Sequence, residues 1–173
     1  MARRGSIELS FGMIFSIIII IAIVGVATYA IVYFLDLGKL TELSLFHQKF
    51  QETIDDVWGS SITDKVVSFT LPAGIKLVCF GNLSSNSWNP AYEEEYEHFK
   101  EYSSSFERER TNRFIYPTNE AGEFSFKKVS KIYLSELGQP HTDFECFEVS
   151  DRKIKVRLKK DTFDALVKVK KPL

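Results

Sequence analysis

The sequence predicts an α+β chain. It has a long N-terminal helix, transmembrane and then amphipathic, packed on a mainly antiparallel β-sheet domain with one short extra helix. Three observations carry this. No charged residue stands between Leu9 and Leu35, and the stretch is mostly Ile, Val, Phe, Ala and Leu. From Leu40 to Val57, apolar residues recur at steps of three and four. After Gly59 the chain breaks into short apolar or alternating runs separated by turn residues. The first pattern suits lipid, the second one helix face, and the third strands.

The uncharged run of 27 residues, Leu9 to Leu35, is long enough for a bilayer. At about 1.5 Å per residue it reaches ~40 Å, against a hydrocarbon core of ~30 Å. Lipid offers backbone groups no other partner, so even the β-branched run Ile17 to Ile21 is driven to helix. A cleaved secretory signal peptide competes with this reading, with Gly25-Val26-Ala27 as its cleavage site. Its apolar region is ordinarily about 7–15 residues, whereas here the run continues through Tyr29, Tyr33 and Leu35. Arg3 and Arg4 precede the span, and Asp36, Lys39 and Glu42 follow it. The basic bias places residues 1–8 in the cytoplasm as a leader, with 9–35 as a single pass in the cell membrane. The amphipathic helix 36–58 continues from the span, and 59–173 form an extracellular β-rich domain. Glu8 lies at the edge of the apolar run, where a carboxylate is costly unless it reaches headgroups or a partner.

The helix stripe is Leu40, Leu43, Phe46, Phe50, Ile54 and Val57, ended by Gly59-Ser60-Ser61. Val66 to Leu71 reads as a strand stopped by Pro72-Ala73-Gly74. Ile75 to Phe80 is nearly continuous in apolar residues, which marks a central strand. Ala91 to Tyr102 opens with Glu93, Glu94 and Glu95, acids that complement a helix N-terminus, and is the short extra helix. Arg113 to Tyr116 and Phe124 to Leu134 are strand candidates. Phe144 to Val149, Ser150-Asp151 and Lys153 to Lys159 read as a hairpin, whose second arm alternates Ile154, Val156 and Leu158 with Lys155, Arg157 and Lys159. Leu166 to Lys170 repeats the alternation. The basic segment Arg152 to Lys171 reads as a solvated strand face rather than a binding patch. The acidic run Glu93 to Glu97 reads as a solvated helix face.

The two cysteines, Cys79 and Cys146, fall in the exterior part, where paired thiols commonly oxidise. Their disulfide closes a loop of roughly 70 residues, on the order of 4 kcal/mol in the chain-entropy model. Two buried free thiols are the alternative. Asn82-Leu83-Ser84 is a glycosylation tripeptide in a Ser- and Asn-rich loop.

Arg3-Arg4-Gly5, then Ser6-Ile7-Glu8, then an apolar helix running into an amphipathic one ahead of a β-rich domain, resembles the type IV pilin superfamily in its archaeal class III signal-peptide form. The resemblance implies processing after Gly5 and an assembly role for Glu8, with apolar helices packed together as a filament core. Two departures stand out: Glu8 follows Gly5 by only three residues, and Ser6 occupies a position where Gln is often found. The chain also looks like a family of small archaeal single-span membrane proteins with no established activity. Glu8 to Ser16 and Leu71 to Phe80 carry that likeness.

The implied partners are membrane lipid and other pilin-like subunits or membrane proteins meeting the N-terminal helix, as a homo-oligomer or filament. A net charge of −1 gives no pull towards nucleic acid. His47, His98 and His141 are scattered, with no metal-ligand spacing among them. There is no phosphate loop and no nucleophile elbow. The sequence therefore assigns no catalytic, metal or cofactor-binding residue and no enzyme activity. Two function classes lead, a pilin-like structural subunit and an unprocessed single-pass protein with an exterior binding or scaffolding domain, and an exterior enzyme with no named residues ranks third.

Overall fold

A computed structural model of the chain describes residues 11–134, 137 and 142–172, and divides it into two compact units, Met1–Gly38 and Lys39–Leu173. Helix α1, Phe11–Gly59, is 49 residues long and runs through the boundary. Gly5 and Glu8 lie outside the described residues.

In the first unit α1 exposes its apolar side chains all round, from Met13 and Ile14 through Phe34 and Leu35. It is one helix near the N-terminus, long and apolar enough to cross a membrane. Two of its hydroxyl side chains, Ser16 and Thr28, are satisfied within the helix. The Ser16 hydroxyl donates to the Gly12 carbonyl at 2.8 Å and the Thr28 hydroxyl to Val24 at 2.9 Å. Such bonds let hydroxyls sit in an apolar medium without a stranded donor.

The second unit contains the end of α1 and all the strands. These are β1 (Thr63–Thr70), β2 (Leu77–Gly81), β3 (Arg113–Tyr116), β4 (Phe126–Lys127), β5 (Ile132–Tyr133), β6 (Phe144–Glu148), β7 (Lys153–Lys160) and β8 (Val167–Lys170). The helices are α2 (Glu93–Tyr102), entered by a 3-10 turn at Pro90–Tyr92, and the short α3 (Ser105–Arg110) and α4 (Thr118–Ala121). Two four-stranded sheets result: a first sheet ordered β1-β7-β8-β5 and a second ordered β4-β3-β2-β6. All pairings are antiparallel except β5 with β8. The α+β expectation holds.

The α1 stripe is the keel of the main core. Leu43, Phe46, Phe50, Ile54 and Val57 are all buried. Phe50 meets Phe69 of β1 and Phe80 of β2, each with ring centroids 5.1 Å apart, so one helix face serves both sheets. A second, more aromatic core lies on the other side of the second sheet, where Tyr96 and Phe99 of α2 meet Phe114 and Phe144. Alternation within β2 divides its residues. Val78 and Phe80 join the main core, and Leu77 and Cys79 join the aromatic one. That is why its sequence reads as an unbroken apolar run.

Two sequence expectations need correction. Phe124 to Leu134 is not one strand. A 3-10 turn at Gly122–Phe124, β4 and β5 divide it, and the chain crosses from the second sheet to the first. Asn112 holds the crossing by bonding both backbone groups of Val129, at 2.7 and 2.8 Å, and Gln51 accepts from the Ser130 amide at 2.8 Å. The predicted hairpin also fails as a strand pair. A two-residue turn does form, bridged Ser150 to Lys153, with Asp151 and Arg152 at φ +51° and +59°. Its arms then part, β6 pairing with β2 and β7 with β1 and β8. The full length of β7 is matched by β1, Thr63 to Thr70 against Lys160 to Lys153.

Gly81 ends β2 at φ +156°, and a Cβ there would collide with the Asp143 carbonyl and come within 2.6 Å of the Phe144 Cα. Only glycine fits that approach of β2 to β6.

Candidate functional site

Cys79 and Cys146 are direct neighbours in the β2–β6 register and are joined by a disulfide spanning 67 positions. Both are fully buried in the aromatic core. Asn82 follows at once on the surface, its side-chain oxygen accepting the Ser84 amide at 2.9 Å in a tight turn. His47 lies on α1 and His98 on α2, far apart in sequence; His141 lies outside the described residues. The His98 ring packs among Phe99, Tyr102 and Tyr116, with Nε2 3.3 Å from the Thr118 hydroxyl. Among the described residues no group of three or more His, Cys, Asp or Glu is placed to hold a metal ion.

An open cleft of about 600 Å³ lies where the end of β6, the turn before β7 and the chain after β8 converge. Phe147 and Tyr92 give it an apolar wall, and Lys153, Lys155 and Lys171 line it with Glu148 and Asp151. Its organising contact is buried. Glu145, 1% exposed, binds Lys171 at 2.7 Å, accepts from the Asn89 amide at 2.8 Å and takes the Cys146 amide at 3.2 Å. The carboxylate therefore has full compensation for its burial. Lys171 also reaches the Tyr92 hydroxyl at 3.2 Å and sits 4.7 Å from its ring centre. Burial works against the Lys171 ammonium, but the bonds to Glu145 and Tyr92 outweigh it and its pKa is raised. This lysine is a fixed charge at the cleft wall.

Beyond the cleft lies the outer face of the first sheet. Burial along β7 alternates: Ile154, Val156 and Leu158 point to the core, and Lys153, Lys155, Arg157 and Lys159 point away. The same alternation puts Lys168 and Lys170 of β8 on the outer side. Register sets Lys170 beside Arg157 and Lys168 beside Lys159. Three of these cations have carboxylate partners: Arg157 with Asp64 at 2.7 Å, Lys159 with Asp161 at 3.2 Å and Lys168 with Asp164 at 2.9 Å. Lys153, Lys155 and Lys170 make no ion pair among the described residues.

A different cation is enclosed in the main core. Arg113 of β3 is fully buried, yet only Nη2 finds an acceptor, the Phe124 carbonyl at 3.2 Å. Nε and Nη1 have no partner, and the guanidinium lies 5.4 Å from the centre of the Phe46 ring. Burial lowers its pKa to about 9. His47 follows Phe46 on α1, and its Nδ1 is also without a partner. Burial first, then the charges of Arg113 and Lys127, lower the His47 pKa to about 4.

Sequence reasoning missed Glu145, Lys171, Tyr92 and Arg113. The available signals were slight: one acid inside the apolar Phe144 to Phe147 run, and one arginine opening an apolar strand.

No protein-family model matches the chain, nor does any curated protein or solved structure.

Proposed function

We propose that the protein is a membrane-anchored, pilin-like structural subunit of a surface filament or secretion-type assembly, with the Lys39–Leu173 unit outside the cell. One observation carries the reading. A single unbroken helix, α1, is apolar and exposed around its whole circumference over its first half, and gives one buried stripe to an α+β core over its second. A helix exposed all round needs lipid or other helices as its surroundings. The basic leader before it and the disulfide after it fit an anchor inserted from the cytoplasm into a non-reducing exterior. In this reading Gly5 marks the processing position, Glu8 neutralises a neighbouring subunit during assembly, and Asn82 is an exposed acceptor for sugar.

The second reading is an unprocessed single-pass protein with an exterior binding or scaffolding domain. It is favoured by the short spacing of Glu8 from Gly5 and by Ser6. Intact-mass measurement of the protein purified from its native membrane separates the two. A mature chain beginning at Ser6, and loss of high-order complexes in Glu8→Gln, are the expected results. A mature chain retaining residues 1–5, with complexes intact in Glu8→Gln, would establish the second reading instead.

A further inference from the structure

The β7–β8 ladder has two unlike ends. At one end residues 161–166 join the strands, and Phe163 at the tip is 100% exposed. The connection is a closed turn. The Asp164 amide donates to the Asp161 carbonyl and the Asp161 amide to the Asp164 carboxylate, each at 3.0 Å. Phe163 is therefore held outward. Trp58, Ile62 and Leu166 are exposed at the same end, where the Trp58 indole donates to the Ala165 carbonyl and Thr63 stands opposite Lys160. Single apolar residues on a surface are ordinary, but a group collected at one end of a sheet marks an interaction site.

The other end of the ladder is the cleft, where β7 begins and the chain leaves β8. Its volume of about 600 Å³ has room for a large side chain. Phe147 and Pro172 supply apolar lining. Lys153 and Lys155 stand on its β7 side and make no ion pair among the described residues, while Glu148 and Asp151 line its β6 side.

A knob and a hollow at opposite ends of one ladder cannot meet within a chain, because the eight residues of β7 hold them ~26 Å apart. They meet when a second copy is shifted along β7 by about that length. Asp161, which continues β7, then comes over Lys153 of the next copy. Leu166, which leads into β8, comes over Pro172, which follows β8. Phe163 lies between them and enters the cleft. A carboxylate faces an ammonium group without an ion pair, and apolar groups face apolar lining. The buried half of α1 follows the same line: Glu42 pairs with Arg152 at one end of β7, and the Trp58 carbonyl accepts from Lys160 at the other. The shift therefore keeps these helix segments parallel. The contact joins two different surfaces and does not close on itself.

We infer that Phe163 is a plug that seats in the β6–β8 cleft of a second copy, joining the Lys39–Leu173 units head to tail in an open row. This deepens the filament reading and rests on it for the role of the contact. One plug is a small contact, weak alone and effective through repetition.

The test places p-benzoylphenylalanine at position 163 of the full-length protein, in detergent with micelles in excess. At ~1 mM protein, a contact with a Kd near ~1 mM is still populated. The Glu8→Gln background is used throughout, so that the assembly proposed for the anchor does not contribute. Irradiation should give dimers and longer ladders, with cross-links mapped to residues 147–155 and 171–172. Lys153→Glu/Lys155→Glu should lower the yield about tenfold or more, since it sets carboxylates against Asp161. Lys49→Glu/Lys76→Glu makes the same charge change at exposed sites elsewhere and should leave the yield unchanged. Sedimentation of the unlabelled protein checks the geometry. Phe163→Ser has no plug and Lys153→Glu/Lys155→Glu has a blocked cleft, so each alone should sediment as a single unit. Their mixture should form pairs and nothing longer. Circular dichroism checks that each variant is folded. Three results would overturn the inference: label entering only detergent or segments outside the cleft, Phe163→Ser sedimenting as the parent does, or no pairs on mixing. If high-order complexes need Glu8 while position 163 never reaches the cleft, the filament reading stands and this contact falls. Cleft cross-links from a chain that retains residues 1–5 would give the reverse.

Discussion

The two sheets have the same number of strands and the same predominant pairing, yet they are covered differently. The second sheet is enclosed: α1 lies against one side and α2 against the other, and all five residues of β2 are buried. The first sheet is covered on one side only, and its outer side is a field of lysines. Coverage decides what each sheet can do. β2, buried on both faces, carries no charge, and Arg113 of β3 and Glu145 of β6 beside it are buried rather than presented to solvent. The half-covered sheet can present six cations without disturbing its core.

Three experiments probe this contrast, from the largest effect to the smallest. Replacing both Cys79 and Cys146 by Ser should remove about 4 kcal/mol from the folding free energy, because the bond closes a loop of 67 residues. Denaturant unfolding with and without reductant measures it. A loss well under ~1 kcal/mol would mean that the enclosed sheet does not depend on its cross-strand bond.

Arg113→Met tests a cation that is fully buried within the enclosed sheet. Two of its donors are buried and unpartnered, and methionine of similar length removes them. The variant should be more stable than the parent by about 1–2 kcal/mol. A lower melting temperature would show that the guanidinium earns its place through the Phe124 carbonyl and the Phe46 ring.

His47 sets the smallest effect, a dependence on pH. Its folded pKa is lowered from 6.5 to about 4 by burial and by Arg113 and Lys127. Between those values the unfolded chain takes up a proton that the folded chain refuses. Stability is therefore full above pH 6.5 and declines as pH falls towards 4. The ring is partly exposed, so screening reduces the loss to on the order of 1 kcal/mol. Melting temperatures across pH 4–7 for the parent and His47→Gln should show a shallower slope in the variant.

Much of this contrast was legible in the residues. The nearly continuous Ile75 to Phe80 run announces a strand buried on both sides, and the Lys–apolar alternation of Lys153 to Lys159 announces one buried on a single side. The α1 stripe is equally plain. What periodicity cannot supply is which strand meets which. The β6 and β7 segments look like two arms of one hairpin, and they do share a turn, but long-range pairing with β2 and β1 takes them to different sheets. Phe124 to Leu134 reads as one strand because its apolar content is right. The crossing inside it depends on the side chains of Asn112 and Gln51, outside the segment. The cleft was hidden for the same reason. Glu145 and Lys171 are 26 positions apart, and neither is informative without the other. Helix α3 carried no pattern long enough to detect.

Gly81 closes a route that its neighbours leave open. Residues around it can drift among apolar types of similar size, since a core tolerates exchange at constant volume. Position 81 cannot, because any side chain would push β6 off β2 at the place where the cross-linked pair is set. A lysine on the outer face can be exchanged without touching the core, whereas this corner has room for a single hydrogen and nothing larger.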